Sequence, residues 1–310
     1  MGCIIDLINK AKHHFLGGIF DMVAKAFAYA KINLFLDIES RREDGYHDIV
    51  SLMQRISLRD TVSVSLEPSE AKTINVTCSA PEIPCGEKNL AYKAANIYPI
   101  EKGNISINIE KVIPSSAGLA GGSADAAATL IALNELCENK LSMAELCALG
   151  AKLGADIPFC ITGGACLVRG IGDILTEAKP MPMLPIVVAK KGEGMSTPAA
   201  YRALDEKYCN FVGYTPKIEL LDKLIGENEA LSAREYCEGL FNAFESVVEP
   251  ERPDVTLIKG IMSSYGAVGA MMSGSGTSVF GIFTSKETAV AALDALKTQG
   301  ADAHLCYPQM

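Results

Sequence analysis

Five stretches of the 310-residue chain carry residue types that could do chemistry. Lys31 in "AKINLF" and Asp156 in "LGADIPF" supply a cation and a carboxylate, the minimum for activating an alcohol toward phosphoryl transfer. Spacing alone does not pair them, and a solvated side chain or a surface salt bridge is the simpler account of each taken singly. In "IPSSAGLAGGSADAAATL", Ile113 to Leu130, Gly118, Gly121 and Gly122 stand just ahead of a helix whose start includes Ser123 and Asp125. Glycines let a backbone approach a phosphate, and the free amides of a helix start supply donors. No Gly-Lys-Ser/Thr follows and the stretch holds no lysine, so it is not a Walker loop, and any phosphate binding must use amides. The same small residues would also serve tight helix packing. A second glycine-serine loop, Ser273 to Gly276 in "MMSGSGTSVF", reads as a ligand-facing loop or as a tight hairpin. "RREDGYHDI" reads as a turn projecting Tyr46 and His47, whose rings could stack on or hydrogen-bond a nucleobase, or as a polar hairpin.

Composition narrows the classes. The net charge of −9 argues against a nucleic-acid partner, and it means that an anionic ligand must be attracted locally, by amides, a helix terminus and one or two cations. Ten cysteines without a C-x-x-C pair, alongside four histidines, do not form a zinc pattern and predict reduced thiols in a cytoplasmic protein. No apolar run is long enough to span a membrane. The first 21 residues resemble neither a signal peptide nor a membrane helix and read as an extension or an over-extended start, with His13 and His14 facing solvent.

The elements that must position these residues follow from periodicity. "KINLFLDI" alternates strictly, with Ile32, Leu34, Leu36 and Ile38 on one face and Lys31, Asn33, Phe35 and Asp37 on the other. "TVSVSL", "TINVTC" and "ISINIE" alternate likewise, which predicts a half-buried, largely antiparallel sheet, with a helix at "KNLAYKAANIY". "ADAAATLIALNELC" reads as a helix, and Ser142 with Glu145 makes a capping box for the next, which Gly154 closes. "ADIPFCITGGACLV" is expected to return to extended structure, with Pro158 fixing a bend. "AKPMPMLP" marks a boundary near residues 178–185, followed by the strand "IVVAK", amphipathic helices, the strands "VGAMM" and "TSVFGIF", a helix and the strand "DAHLCY". The class is α+β in two domains, 22–178 and 179–310, each an antiparallel or mixed sheet packed on helices.

Taken together, "AKINLFLDIESRREDGYHDIVSLMQRISLRD", "PSSAGLAGGSADAAATLIALN", "LGADIPFCITGGACLVRGIGDIL" and "MMSGSGTSVFGIF" resemble, in order and spacing, the GHMP small-molecule kinase superfamily. "DGYH" after the first strand makes the chain similar to the family of 4-diphosphocytidyl-2-C-methyl-D-erythritol kinases within it. The resemblance implies a two-domain GHMP kinase fold with the active site in the cleft between an N-terminal ATP-binding domain and a C-terminal domain. It implies Asp156 as base, Lys31 holding substrate and stabilising charge, and Asn33 orienting the alcohol or the base. Pro114, Ser115, Ser116, Ala117, Gly118, Leu119, Ala120, Gly121, Gly122, Ser123 and Ala124 would wrap the ATP phosphates, with Ser123 a contact to phosphate or Mg²⁺. Tyr46, His47 and Tyr201 match positions that hold the cytosine; Thr197 lies in the same pocket wall, and Gly274, Ser275 and Gly276 would close the site. Ala120 and Ala124 replace a glycine and a serine common in the superfamily, which bears on Mg²⁺ ligation more than on fold.

The implied activity is transfer of the γ-phosphoryl group of ATP to the 2-hydroxyl of a cytidine diphosphate derivative, in isoprenoid-precursor synthesis, by a cytoplasmic monomer or homodimer that uses neither nucleic acid nor membrane. Two other readings are another GHMP kinase, acting on homoserine or a mevalonate derivative, and a non-catalytic nucleotide-binding module. The second is disfavoured because Lys31 and Asp156 are both present.

Overall fold

The computed structural model describes residues 22–225 and 232–310, so His13 and His14 lie outside the described residues. In chain order the elements are β1 (Met22–Arg41), β2 (His47–Glu67), β3 (Lys72–Cys78), α1 (Leu90–Ile97), β4 (Gly103–Glu110), α2 (Gly121–Leu136), α3 (Met143–Ala151), α4 (Asp156–Thr162), β5 (Ala165–Arg169), β6 (Ile174–Glu177), β7 (Ile186–Lys190) and α5 (Thr197–Lys207). After a 3₁₀ turn at Cys209–Phe211 come α6 (Ile218–Ile225), α7 (Ala233–Cys237), β8 (Phe241–Asn242), α8 (Glu245–Val248), α9 (Pro253–Ser264), β9 (Gly269–Met272), β10 (Val279–Ile282), α10 (Lys286–Thr298) and β11 (Asp302–Cys306).

The chain forms two compact units that interleave in sequence. Of the described residues, the first holds 22–30, 59–115 and 120–162; the second holds 31–58, 116–119, 163–225 and 232–310. The long strands β1 and β2 therefore contribute residues to both, and the proline-rich stretch at 178–185 lies inside the second.

In the first unit β2 pairs antiparallel with β4, and β4 pairs parallel with β3, Ile74 opposite Ile105. A parallel neighbour requires a crossover, which α1 supplies, its first turn capped by the Asn89 side chain accepting from the Ala91 amide. Alternation along β1 sends Ala24, Ala26 and Ala28 into a core with Val62, Val64, Ile105, Ile107 and Ile109. Against them lies α2, buried almost all round because Ala124, Ala126, Ala127, Ala128 and Ala132 let neighbouring helices approach. Ser142 and Glu145 form the capping box of α3.

The segment after Gly154 corrects one expectation. Residues 156–162 are helical, not extended, and extended structure resumes only at Ala165. Pro158 sits in the first turn of α4, where a missing N–H leaves no intrahelical bond unmade. Burial of Ile157 and Ile161 against the first core favours the helix, and a Cβ on Gly150 would stand 2.5 Å from Ile157 Cγ2.

In the second unit β5 pairs antiparallel with β2 and β6, and β8 runs parallel beside β1, Phe35 opposite Phe241. A four-stranded antiparallel sheet, in the order β11-β7-β10-β9, packs on α9 and α10 through Val187, Ala189, Ile258, Met262, Ala289 and Leu296. Here too the strand reading needs amending: Lys31, Asn33, Phe35 and Asp37 are as buried as the apolar face opposite them. Phe35 is covered by Phe241, with ring centroids 5.7 Å apart.

Candidate active site

Lys31 is 4% exposed, and its ammonium donates to Asn33 Oδ1 at 2.6 Å. Two residues apart on one strand face, they meet because of the period-2 alternation. Asn33 Nδ2 donates to Ser51 Oγ at 2.8 Å, and Ser51 Oγ donates to the Phe35 carbonyl at 2.6 Å, so flipping the amide would set its oxygen against a hydroxyl whose proton is already committed. The Lys31 amide donates to the Leu119 carbonyl at 3.2 Å, which places the glycine-rich stretch beside the lysine.

Both glycine loops meet here. Ser273 Oγ accepts from the Asn33 amide at 3.3 Å and donates to the Gly118 carbonyl at 3.0 Å. The Ser278 amide donates to the Ala117 carbonyl at 3.2 Å. Gly118 has φ +72°, and a Cβ there would stand 2.0 Å from the Ser273 carbonyl oxygen. A Cβ on Gly274, at φ +58°, would lie 2.9 Å from the Gly118 carbonyl oxygen and 3.3 Å from the Lys31 ammonium. Asn242 fixes the second loop, donating to the carbonyls of Met272 and Gly274, while the half-buried Glu245 accepts from the Met272 amide and from Lys259. Burial raises the pKa of Glu245, and Lys259 works against that rise. Gly276 closes the turn onto Ser273, and Ser275 Oγ lies 2.9 Å from Thr197 Oγ1 at the start of α5.

The flanks of the glycine-rich stretch belong to the first unit, where Lys111 reaches Asp60 Oδ2 at 2.5 Å and Asp125 Oδ2 at 2.7 Å. Asp60 Oδ1 accepts from the amides of Val112 and Ile113. One ammonium thus ties β2 to both the residue chain ahead of Pro114 and the start of α2. Burial raises the Asp125 carboxyl, against the opposing pull of Lys111, and Asp125 Oδ1 is buried without a hydrogen-bond partner. Burial also opposes the Lys111 charge, yet the two carboxylates raise its pKa. Ala120 precedes α2 at φ 58°, turning the chain so that Gly121, Gly122, Ser123 and Ala124 form its first turn. Asp156, half-buried, begins α4, held in place by the buried Ile157.

His47, at the start of β2, is gripped from several sides within the second unit. Its Nε2 lies 2.6 Å from Asp205 Oδ1, its ring stacks on Tyr201 with centroids 4.6 Å apart, and the Phe211 ring meets it edge-on. Tyr201 packs edge-on against Phe244. The segment carrying Phe211 is tied to β1 by the buried Asp37, which accepts from Tyr214 Oη and the Lys217 amide; burial raises its pKa. Tyr46 stands apart, 61% exposed.

Residues 89–164 match the family description "GHMP kinases N terminal domain" and residues 216–302 match "GHMP kinases C terminal". A 4-diphosphocytidyl-2-C-methyl-D-erythritol kinase of Caldicellulosiruptor saccharolyticus is 43% identical over 274 residues, 87% of this chain and 91% of that protein. The chain belongs to the 4-diphosphocytidyl-2-C-methyl-D-erythritol kinase family. The family member of Clostridium novyi is 42% identical over 90% of this chain and 97% of its own. A crystal structure of 4-(cytidine 5'-diphospho)-2C-methyl-D-erythritol kinase superposes with a TM-score of 0.72 at 33% identity, covering 92% of this chain and 99% of that one. A crystal structure of L. major mevalonate kinase shares the fold at a TM-score of 0.70 and 18% identity, over 98% of this chain and 99% of that one. The fold is that of a two-domain α+β GHMP kinase, and membership of the family makes the protein a small-molecule kinase with ATP as phosphoryl donor. Among the described residues no helix is long and apolar enough to cross a membrane.

For this family member, the structure brings Lys31, Asn33, Gly118 and Gly274 together, and pairs His47 with Tyr201 and Thr197 with Ser275. Sequence reasoning missed Ser51, Asn242, Lys111, Asp60 and Asp205. Asp205 alone carried a readable signal, since it follows Tyr201 by four residues on the same helix face. The others depend on partners between 14 and 52 residues away or further, which no local pattern reveals.

Proposed function

We propose that this kinase transfers the γ-phosphoryl group of ATP to the 2-hydroxyl of 4-diphosphocytidyl-2-C-methyl-D-erythritol, giving the 2-phosphate, a step of non-mevalonate isoprenoid-precursor biosynthesis. The observation that carries the reading is the buried Lys31 ammonium set against the backbone of two glycine loops, in a chain 43% identical to a kinase named for that substrate.

Asp156 takes the proton of the attacking hydroxyl, Lys31 stabilises charge on the reacting oxygens, and Asn33 holds the lysine in direction. The acceleration comes from positioning and from preorganised donors rather than from covalent chemistry. Residues 114–124 supply amides to the ATP phosphates, residues 22–178 carry nucleotide binding, and 179–310 complete the substrate side through Gly274, Ser275 and Gly276. Tyr46, His47, Tyr201 and Thr197 hold the cytidine portion. The Ser123 hydroxyl, in the first turn of α2, would be one protein ligand of a Mg²⁺ that arrives on the phosphates. Mg²⁺ there would neutralise phosphate charge. We assign the enzyme to the cytoplasm, as a monomer or homodimer.

The test is ADP release, coupled to a dehydrogenase readout, over a panel of 4-diphosphocytidyl-2-C-methyl-D-erythritol, homoserine and mevalonate. Turnover of the first alone is expected. Efficient turnover of either other alcohol, or of none, overturns the assignment.

A further inference from the structure

The side chain of Asp205 contacts His47 and Arg41 in the second unit. Its Oδ1 lies 2.6 Å from His47 Nε2 and its Oδ2 lies 3.4 Å from Arg41 Nε; Arg41 in turn donates to Asn210 Oδ1 at 2.6 Å. The residue is one helical turn beyond Tyr201 on α5, and the i, i+4 spacing places both on one face. Tyr201 therefore covers a face of the imidazole while Asp205 holds its edge. The His47 side chain is 6% exposed and that of Asp205 16%, so water competes weakly for the bond.

A carboxylate only accepts, so the bond requires a hydrogen on Nε2 whether the ring is neutral or charged. In the neutral ring Nδ1 then carries the lone pair. An acceptor at that atom complements the exocyclic amine of a cytosine and opposes the carbonyl that a uracil presents in its place. The stacked rings also stand too close for a base to enter between them, which leaves the ring edge and the backbone as the polar features of His47.

We propose that Asp205 is a positioning residue for nucleobase recognition: it fixes the orientation and tautomer of His47, so that Nδ1 selects an amino-bearing pyrimidine. The inference rests on the cytidine substrate assigned above.

Three variants test it: Asp205→Ala, Asp205→Asn and Asp205→Leu, each assayed as the full-length enzyme with the cytidine substrate and its uridine analogue. Loss of one charge-assisted hydrogen bond should raise KM for the cytidine substrate roughly tenfold in Asp205→Ala and Asp205→Leu, with the loss falling on KM rather than kcat, and should shrink the preference over uridine. Asp205→Asn, whose amide oxygen can still accept, should recover most of both. Nitrogen-15 NMR of the wild-type ring, identified by its disappearance in His47→Gln, should show the proton on Nε2, and a mixture of tautomers in Asp205→Ala. An unchanged KM and base preference in folded Asp205→Ala, or a wild-type ring protonated on Nδ1 alone, overturns the proposal. A wild-type enzyme inactive on the cytidine substrate overturns the substrate assignment instead, and the NMR result still decides whether Asp205 sets the tautomer.

Discussion

Gly118 and Ser273, 155 residues apart, are in direct contact: the Ser273 hydroxyl donates to the Gly118 carbonyl, and a Cβ on Gly118 would stand 2.0 Å from the Ser273 carbonyl oxygen. Each glycine loop is thus a wall for the other. Packing and ligand approach are not rival explanations of these glycines, because different positions serve each.

Gly118→Ala should destabilise the protein by roughly 2–4 kcal/mol in urea melts, since it adds both a positive-φ penalty and a collision with main chain. Gly122→Ala meets nothing closer than 3.6 Å, at Leu90, and should leave stability within about 1 kcal/mol of wild type. If the Gly122 backbone lies against phosphate, its KM for ATP rises all the same. A stable Gly122→Ala enzyme with normal KM would remove that residue from the phosphate site.

Above about pH 7, where Asp125 is ionised, Lys111→Met should cost roughly 3–5 kcal/mol, because two carboxylates lose their shared cation in the interior. The partner Asp125, its side chain 5% exposed, carries a pH signature. Burial pushes its carboxyl up from 3.8 to about 7 in the folded state, so over that window the folded protein binds a proton that the unfolded chain has released. Stability should therefore fall as pH rises from about 4 to about 7, by at most about 1.4 kcal/mol per pH unit from this group. Asp125→Asn should flatten that portion of a stability-versus-pH curve; a curve parallel to wild type would show that Asp125 is ionised throughout.

Lys31→Met should lower kcat by about 10²–10³-fold if the ammonium stabilises transferring charge. Asn33→Ala removes the acceptor at 2.6 Å and leaves Ser51 without its donor, so a smaller loss, about tenfold, is expected with the lysine still present. Stopped-flow single turnovers separate these effects from product release. Equal losses in the two variants would mean that Asn33 does more than direct the lysine.

Asp156→Asn should reduce turnover by at least about 10²-fold while calorimetric ATP binding survives. Near-normal rates from the purified variant would remove Asp156 as the base.

The chain by itself determined the alternation of β1 that sets Lys31 beside Asn33, the capping box of α3, and the four stretches whose order marks the family, because each depends on residues close in sequence. It misled at Asp156–Thr162, where a proline was read as a bend although a helix tolerates it in the first turn. It read one face of β1 as polar, whereas Phe241 covers Phe35 on that face, Ser51 and Ser273 meet Asn33, and Tyr214 meets Asp37. Tertiary structure alone decided that Ser273 joins the glycine loops, that Lys111 ties both flanks of the first loop to Asp60, and that Asp205 holds His47. Each of these is a contact between residues from 14 to 158 positions apart, as from Lys111 to Asp125 and from His47 to Asp205. Local periodicity carries no record of which distant groups burial will force to satisfy one another, and that demand is what assembles the site.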